Sequence, residues 1–499
     1  MPRLRVSLFA SFLAILSGVL TIVLWSIGLR WVALLLVFWG TVLGIGVLRW
    51  FDVQVEKLIL YTFVLSNSIR MDVHVVFSKN GFGFPIGLGE VSLVALLIMW
   101  AVRARRETYS TQWPKRYLFP LALTLVGAVI SVFQTPDLPT CFRMPLYVLE
   151  NLLLFFYLWN LRLEEKEWRR LTVGIAVALA LQGIIGGLQG ATHSTLGLEF
   201  FGSTNAAVDV KSFTEFSRVG GTLGQPNRFA IFVNASIFTL LAMILWAKTW
   251  RGRIGYIVVF CMAFGALIMT QSRGGWLGFA FAFMPFSYLA LREKMGRFFS
   301  VFTIGCILGS GAVFIVAFPP IYQRLTAQDQ NSASSRVPMS LTALRMIRHN
   351  PFGVGFTEYV PRMTAYDVTQ DGLTYRFRFP VHNAFLLLAA EQGIWVLVVY
   401  LILIAIYYRD VIRLVMEPPG FPRVLGLAFA AGMLAVHLHI NLEISHVMID
   451  ANQWFSMGMA LCVLRQLQRR HAEGIVPAPA PVSAVLTDGA DRGVAPAGA

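Results

Sequence analysis

Apolar runs of about 20 residues, each long enough to cross roughly 30 Å of hydrocarbon as a helix, recur from one end of the chain to the other. Fourteen such segments start near residues 7, 31, 57, 86, 117, 144, 171, 227, 253, 274, 297, 383, 422 and 450. Backbone in lipid must satisfy its own hydrogen bonds, so the expected fold is an all-α polytopic membrane protein with about 12–14 transmembrane helices. Composition agrees: 57% of residues are hydrophobic and only 13% charged, against about 25% charged in soluble domains. The third segment, 57–77, contains Asn67, Arg70, Asp72 and His74 and is expected to be re-entrant or broken. The first, 7–28, lacks a small-residue cleavage site and reads as an uncleaved helix.

A formal net charge of +15 in a soluble chain would point to nucleic acid. Here it follows topology. With the N-terminus inside, the inner connections and termini carry 26 of the 41 Lys/Arg and 12 of the 26 Asp/Glu, a net +14 of the total. That is the positive-inside bias, so the expected partner is membrane lipid and not nucleic acid. Both termini then face the cytoplasm of a multi-pass inner-membrane protein. The expected organisation is membrane helices over 1–189, an outer loop over 190–226, helices over 227–318, a long and partly helical outer loop over 319–382, helices over 383–470, and a disordered tail over 471–499 rich in Ala, Pro and Gly. Of four cysteines, Cys261, Cys306 and Cys462 lie inside apolar runs and Cys141 at the edge of one, which leaves no disulfide framework and no zinc spacing.

The loop over 319–382 holds Arg324, Arg336, Arg345, Arg348, Arg362, Arg376 and Arg378, no lysine, and the acids Asp329, Glu358, Asp367 and Asp371. Arginine's planar fork suits phosphate or carboxylate, so an all-arginine basic loop points to an anion. Within it, 339–349 reads as an amphipathic helix on the membrane surface, with Leu341, Leu344 and Ile347 on one side, Arg345 and Arg348 on another, and Arg336 just before it. Phe352-Gly-Val-Gly-Phe356 then supplies a tight turn. His382 falls where the next membrane helix opens, with Asn383 near its cap. A helix N-terminus disfavours added positive charge, which keeps His382 neutral and able to accept a proton. Arg273 lies in a hairpin, Gln271-Ser-Arg-Gly-Gly-Trp-Leu-Gly278, at the same interface. Arg218 opens a glycine-rich segment that ends at Asn227 and Arg228, on a helix N-terminus suited to anions. His437, His439 and His446 resemble a metal cluster by proximity, yet 437 and 439 point to different helix faces, and no metal is expected. Glu391 is either a functional carboxylate within the membrane or a polar contact between helices.

The order of Gly221-Thr-Leu-Gly-Gln-Pro-Asn227, Ser272-Arg-Gly-Gly-Trp276, Arg336, Ala343-Leu-Arg-Met-Ile-Arg-His-Asn-Pro-Phe-Gly-Val-Gly355 and His382-Asn383 resembles the bacterial O-antigen ligase and polymerase superfamily, over roughly 200–400. The resemblance implies a metal-independent, inverting glycosyltransferase without a cofactor. Its donor would be a glycan on undecaprenyl pyrophosphate at the outer face, and its acceptor another glycan, lipid A–core or a further hydroxyl. It also implies that Arg273 and Arg336 contact the diphosphate and that His382 is the essential histidine. Arg218, Asn227, Arg345 and Arg348 are expected from their positions as further substrate contacts. Val337-Pro338 follows Arg336 where an aromatic residue is often found nearby in the family. A transporter or flippase is the alternative, but it calls for inverted repeats with helices broken at mid-membrane, and the sequence shows neither.

Overall fold

The computed structural model describes residues 55–69, 72–76, 83–106, 111–136, 138–203, 218–291, 336–369, 378–443 and 446–475, with a few isolated positions between them. The segments expected near 7, 31 and 297, and most of the C-terminal tail, lie outside the described residues. The chain divides into two compact units.

The first unit holds α1 (Val55–Ser66), strands β1 (Asp72–Val76) and β2 (Gly83–Gly87), and α2 (Leu88–Arg106). α1 packs on α2 and is tied to it by Arg103 Nη1, which donates to Glu56 Oε2 at 2.7 Å. The third apolar segment is thus broken: its helix stops at Ser66, and β1 pairs antiparallel with β2, Asp72 opposite Gly87. Asp72 and His74 alternate there with Val73 and Val75, a period-two pattern that fits a strand. This pair is the departure from an all-helical fold among the described residues.

The second unit is helical. It contains α3 (Lys115–Val132), α4 (Leu138–Asn160), α5 (Glu165–Thr192), α6 (Pro226–Trp246), α7 (Trp250–Met269), α8 (Arg273–Leu291), α9 (Arg336–His349), α10 (Ala384–Gln392), α11 (Ile394–Val411), α12 (Phe421–Ile440) and α13 (Ala451–Ala472). Among the described residues seven helices, α3, α5, α6, α7, α8, the α11 run to Val415, and α12, are long and apolar enough to cross a membrane. α6 and α12 form the centre, buried along most of their length. They approach closely at Gly432, where a Cβ would sit 2.5 Å from the Ala235 carbonyl oxygen. Small residues at such crossings let backbones meet without hydrophobic driving force between helices. α7 instead turns Trp250, Ile254, Ile257 and Val258 outward, an apolar surface suited to contact with lipid.

Two expectations about the long loop change. The helix expected to open at Asn383 and span the membrane is instead broken at Gly393 (φ 98°), so α10 is a separate element of nine residues before the spanning α11. Phe385, near the start of α10, lies 6.1 Å from the Tyr400 ring in α11, so the two helices fold back on each other at that glycine. α9 begins at Arg336 with Pro338 in its first turn, where no backbone N–H is needed. Its packed face is Met339, Thr342, Ala343, Met346 and Ile347, whereas Leu341 and Leu344 are exposed. Spacing by threes falls about 60° short of a full turn at each step, so Leu341 and Ile347 diverge around the helix.

Candidate functional site

The glycine-rich segment is a turn built against α5. Gly221 (φ 58°) and Gly224 (φ 78°) take left-handed conformations, and a Cβ at Gly221 would meet Gln182 Oε1 at 2.3 Å. Gln189 both accepts from Gly221 N at 2.9 Å and donates to its carbonyl at 3.2 Å, while Gln182 accepts from Thr222 N at 3.2 Å. Gln182 and Gln189 escaped the sequence reading. The signal was present: two glutamines seven residues apart, on one face of an otherwise apolar helix.

This turn delivers Arg218 to the α7–α8 hairpin. Arg218 Nε donates to the Thr270 carbonyl at 3.0 Å, and Nη2 donates to Asn227 Oδ1 at 2.9 Å. Val219 N donates to the Met269 carbonyl at 3.2 Å, which lays the two segments side by side. Arg273 is the first residue of α8 and half-buried. Ser272, just before it, pairs with His439 Nε2 at 3.0 Å and accepts from Gly275 N at 3.3 Å.

The long loop reaches the same end of the bundle by a backbone latch. Val354 N donates to the Ala390 carbonyl at 3.0 Å, Gly355 N to Glu391 at 2.8 Å, and Ile394 N to Pro351 at 3.0 Å. Gly353 (φ 90°) lies so close to the α10–α11 junction that a Cβ would stand 2.4 Å from the Glu391 carbonyl oxygen. Behind the latch, Ala343, Met346, Ile347, Val354, Tyr359, Val381 and Leu387 form one apolar core. Part of the loop's charge is structural. Glu358 accepts from Thr135 at 2.7 Å and from Arg362 at 3.1 Å, and Arg362 also donates to the Gln134 carbonyl. Burial pulls the Asp367 carboxyl upward, but bonds from Thr369 and Thr374 outweigh it and hold the group at about 2. Glu391 accepts from Tyr359 N at 3.3 Å and lies 3.0 Å from His446 Nε2, which is the polar-contact reading.

The latch places α9 so that Arg336 bears on His382. Asn383 caps α10, accepting from Phe385 N and Leu386 N at 3.0 Å each, as its sequence position implied. Burial, and after it the Arg336 guanidinium, lower the His382 pKa from 6.5 to about 4. The ring is therefore neutral at pH 7. Arg336 Nε and His382 Nδ1 are both buried and have no hydrogen-bond partner among the described residues. Unmade bonds of this kind are costly, of order 1–3 kcal/mol each, and are made good when a ligand supplies the missing group.

The structure thus brings Arg336 to His382 and, separately, Arg218 to Asn227 and to the Thr270 carbonyl, three residues before the helix that Arg273 opens. Asn383 Nδ2 donates to the Asn441 carbonyl at the end of α12 (3.3 Å), and the His439 contact with Ser272 is two residues earlier on that helix. Arg345 and Arg348 are not brought in. Both are exposed, and they lie about 13 and 18 Å along α9 from Arg336 at 1.5 Å per residue. The three clustered histidines face three different partners: His437 lies between the hydroxyls of Tyr400 and Tyr408 at 3.3 and 2.8 Å, His439 meets Ser272, and His446 meets Glu391. Among the described residues no three His, Cys, Asp or Glu side chains converge.

Residues 257–401 match the Wzy_C family model, described as O-Antigen ligase. The match covers Arg273, Arg336 and His382 and leaves out Arg218 and Asn227. No curated protein matches the chain.

Proposed function

We propose, from the match of residues 257–401 to the O-Antigen ligase model, that the protein is a membrane glycosyltransferase. It takes a glycan from an undecaprenyl-pyrophosphate donor at the outer face of the inner membrane and passes it to a hydroxyl on a lipid-borne saccharide, lipid A–core in a ligase or a second repeat unit in a polymerase. The observation that carries this reading is the half-buried pair His382 and Arg336, a neutral imidazole and a guanidinium, each with one buried nitrogen that has no partner among the described residues.

The acceptor oxygen attacks the anomeric carbon as the bond from that carbon to phosphate breaks, with inversion. The electron pair leaves on the polyprenyl diphosphate. Arg336 and Arg273 bind the oxygens on which that charge grows, each charge-assisted bond contributing about 1.5–3 kcal/mol. His382 takes the acceptor's proton. A diphosphate against Arg336 offsets the charge that holds the His382 pKa down, so the base strengthens when the donor is bound. No cofactor takes part in these steps, and the arginines supply the positive charge at any physiological pH.

Mass spectrometry of surface glycan in a deletion strain tests the assignment. Single repeat units on the acceptor indicate a polymerase, and unattached lipid-linked polymer indicates a ligase. Unchanged glycan assembly contradicts both and returns the transporter reading.

A further inference from the structure

The two halves of the proposed site come from distant stretches of chain, and one turn of α12 touches both. His439 is fully buried and its Nε2 lies 3.0 Å from Ser272 Oγ, the residue before Arg273. Its other nitrogen, Nδ1, has no partner among the described residues, so Ser272 is its hydrogen-bond contact there. The ring is seated flush on the hairpin: a Cβ at Gly274 would stand 2.8 Å from His439 Cδ2. Ser272 passes the constraint on by accepting from Gly275 N, whose carbonyl in turn accepts from Asn234 on α6 at 2.9 Å. Two residues beyond His439, the Asn441 carbonyl receives Asn383 Nδ2, the cap beside His382. Neither His439 nor Asn441 lies within the matched stretch 257–401.

We propose that the C-terminal turn of α12 is a strut that sets the spacing between the leaving-group arginine and the base, with His439 as its positioning residue acting through Ser272. This rests on the glycosyltransferase reading above. His439 has no exposed surface, so it does not touch substrate itself; besides the hairpin it faces the charge of Arg218. A displacement reaction is sensitive to such spacing, since a misplacement of about 1 Å can cost on the order of 100-fold in rate.

The test uses the full-length protein in nanodiscs with a lipid-diphosphate glycan donor, and compares His439→Phe, His439→Gln, Ser272→Ala and the double variant H439F/S272A. The strut predicts that H439F and S272A each lower kcat about tenfold or more, with donor KM changed far less. H439Q, which keeps a polar group facing Ser272, recovers most of the rate. The double variant falls no further than H439F alone, and the pH profile keeps its shape because His382 is untouched. Wild-type kcat in H439F, additive losses in the double variant, or Gln no better than Phe would each overturn the proposal. Should H439F fail to fold, S272A removes a single oxygen and carries the same kcat test. The wild-type protein separates the two levels: no glycan transfer by it overturns the glycosyltransferase reading itself, whereas an active wild type beside fully active H439F and S272A overturns the strut alone.

Discussion

The two basic halves of the site differ in how their hydrogen bonds are spent. Arg218 gives its guanidinium to the Thr270 carbonyl and to Asn227, and the turn that carries it is held by Gln182 and Gln189. Arg336 and His382 each keep a buried nitrogen without a partner among the described residues. The first half is a scaffold held by the protein's own groups, and in the proposed function a ligand completes the second. Charge alone does not distinguish them, because each half carries an arginine.

Substitutions break that comparison in graded steps. Arg336→Ala is expected to lower glycan transfer by about 100-fold or more, the scale of losing a group that stabilises leaving-group charge, with the folded yield unchanged in size-exclusion chromatography. Arg336→Gln sharpens the same point through pH. Burial, and after it the Arg336 charge, holds His382 at about 4, so kcat/KM falls as pH drops through that value, and removing the charge moves the acid limb part of the way upward while burial still keeps it below 6.5. The same lowered pKa means the unfolded chain binds the proton first, so the fold loses stability as pH falls from 6.5 towards 4.

Gly353→Ala strikes the latch instead. A side chain at φ 90° and 2.4 Å from a carbonyl oxygen should cost about 1–3 kcal/mol, read as a lower melting temperature together with lost transfer. Arg218→Ala removes two internal bonds, and thermal stability should fall by about 1–2 kcal/mol with a loss of transfer smaller than that of Arg336→Ala. Arg345→Ala and Arg348→Ala, on the exposed face of α9, should change stability by no more than about 0.5 kcal/mol and transfer rates by less than threefold in the same assay.

Much of this was legible in the sequence for a physical reason. Helices in lipid announce themselves by length and hydropathy, and the starts expected near 117, 171, 227, 253, 274 and 422 fall within six residues of α3, α5, α6, α7, α8 and α12. The Asn383 cap and the neutrality of His382 followed from local rules about helix starts, although burial and Arg336 turn out to be the causes that lower its pKa. What local rules miss is contact between distant segments. The break at Gly393 is invisible until Phe352 and Gly353 are seen packed against it, and Leu341 looks like core until the drift of its spacing is followed around the helix. Gln182, Gln189 and His439 stand in apolar runs as isolated polar residues, and only their partners 14 to 167 positions away give them meaning.

The central claim is that His382 and Arg336 form the reacting centre. Single-turnover transfer by the purified His382→Ala protein, with a defined lipid-diphosphate glycan donor and no other enzyme present, tests it most directly. The account predicts that donor still binds, because Arg336 and Arg273 remain, while transfer to the acceptor is lost. Transfer at the wild-type rate in that variant would contradict it.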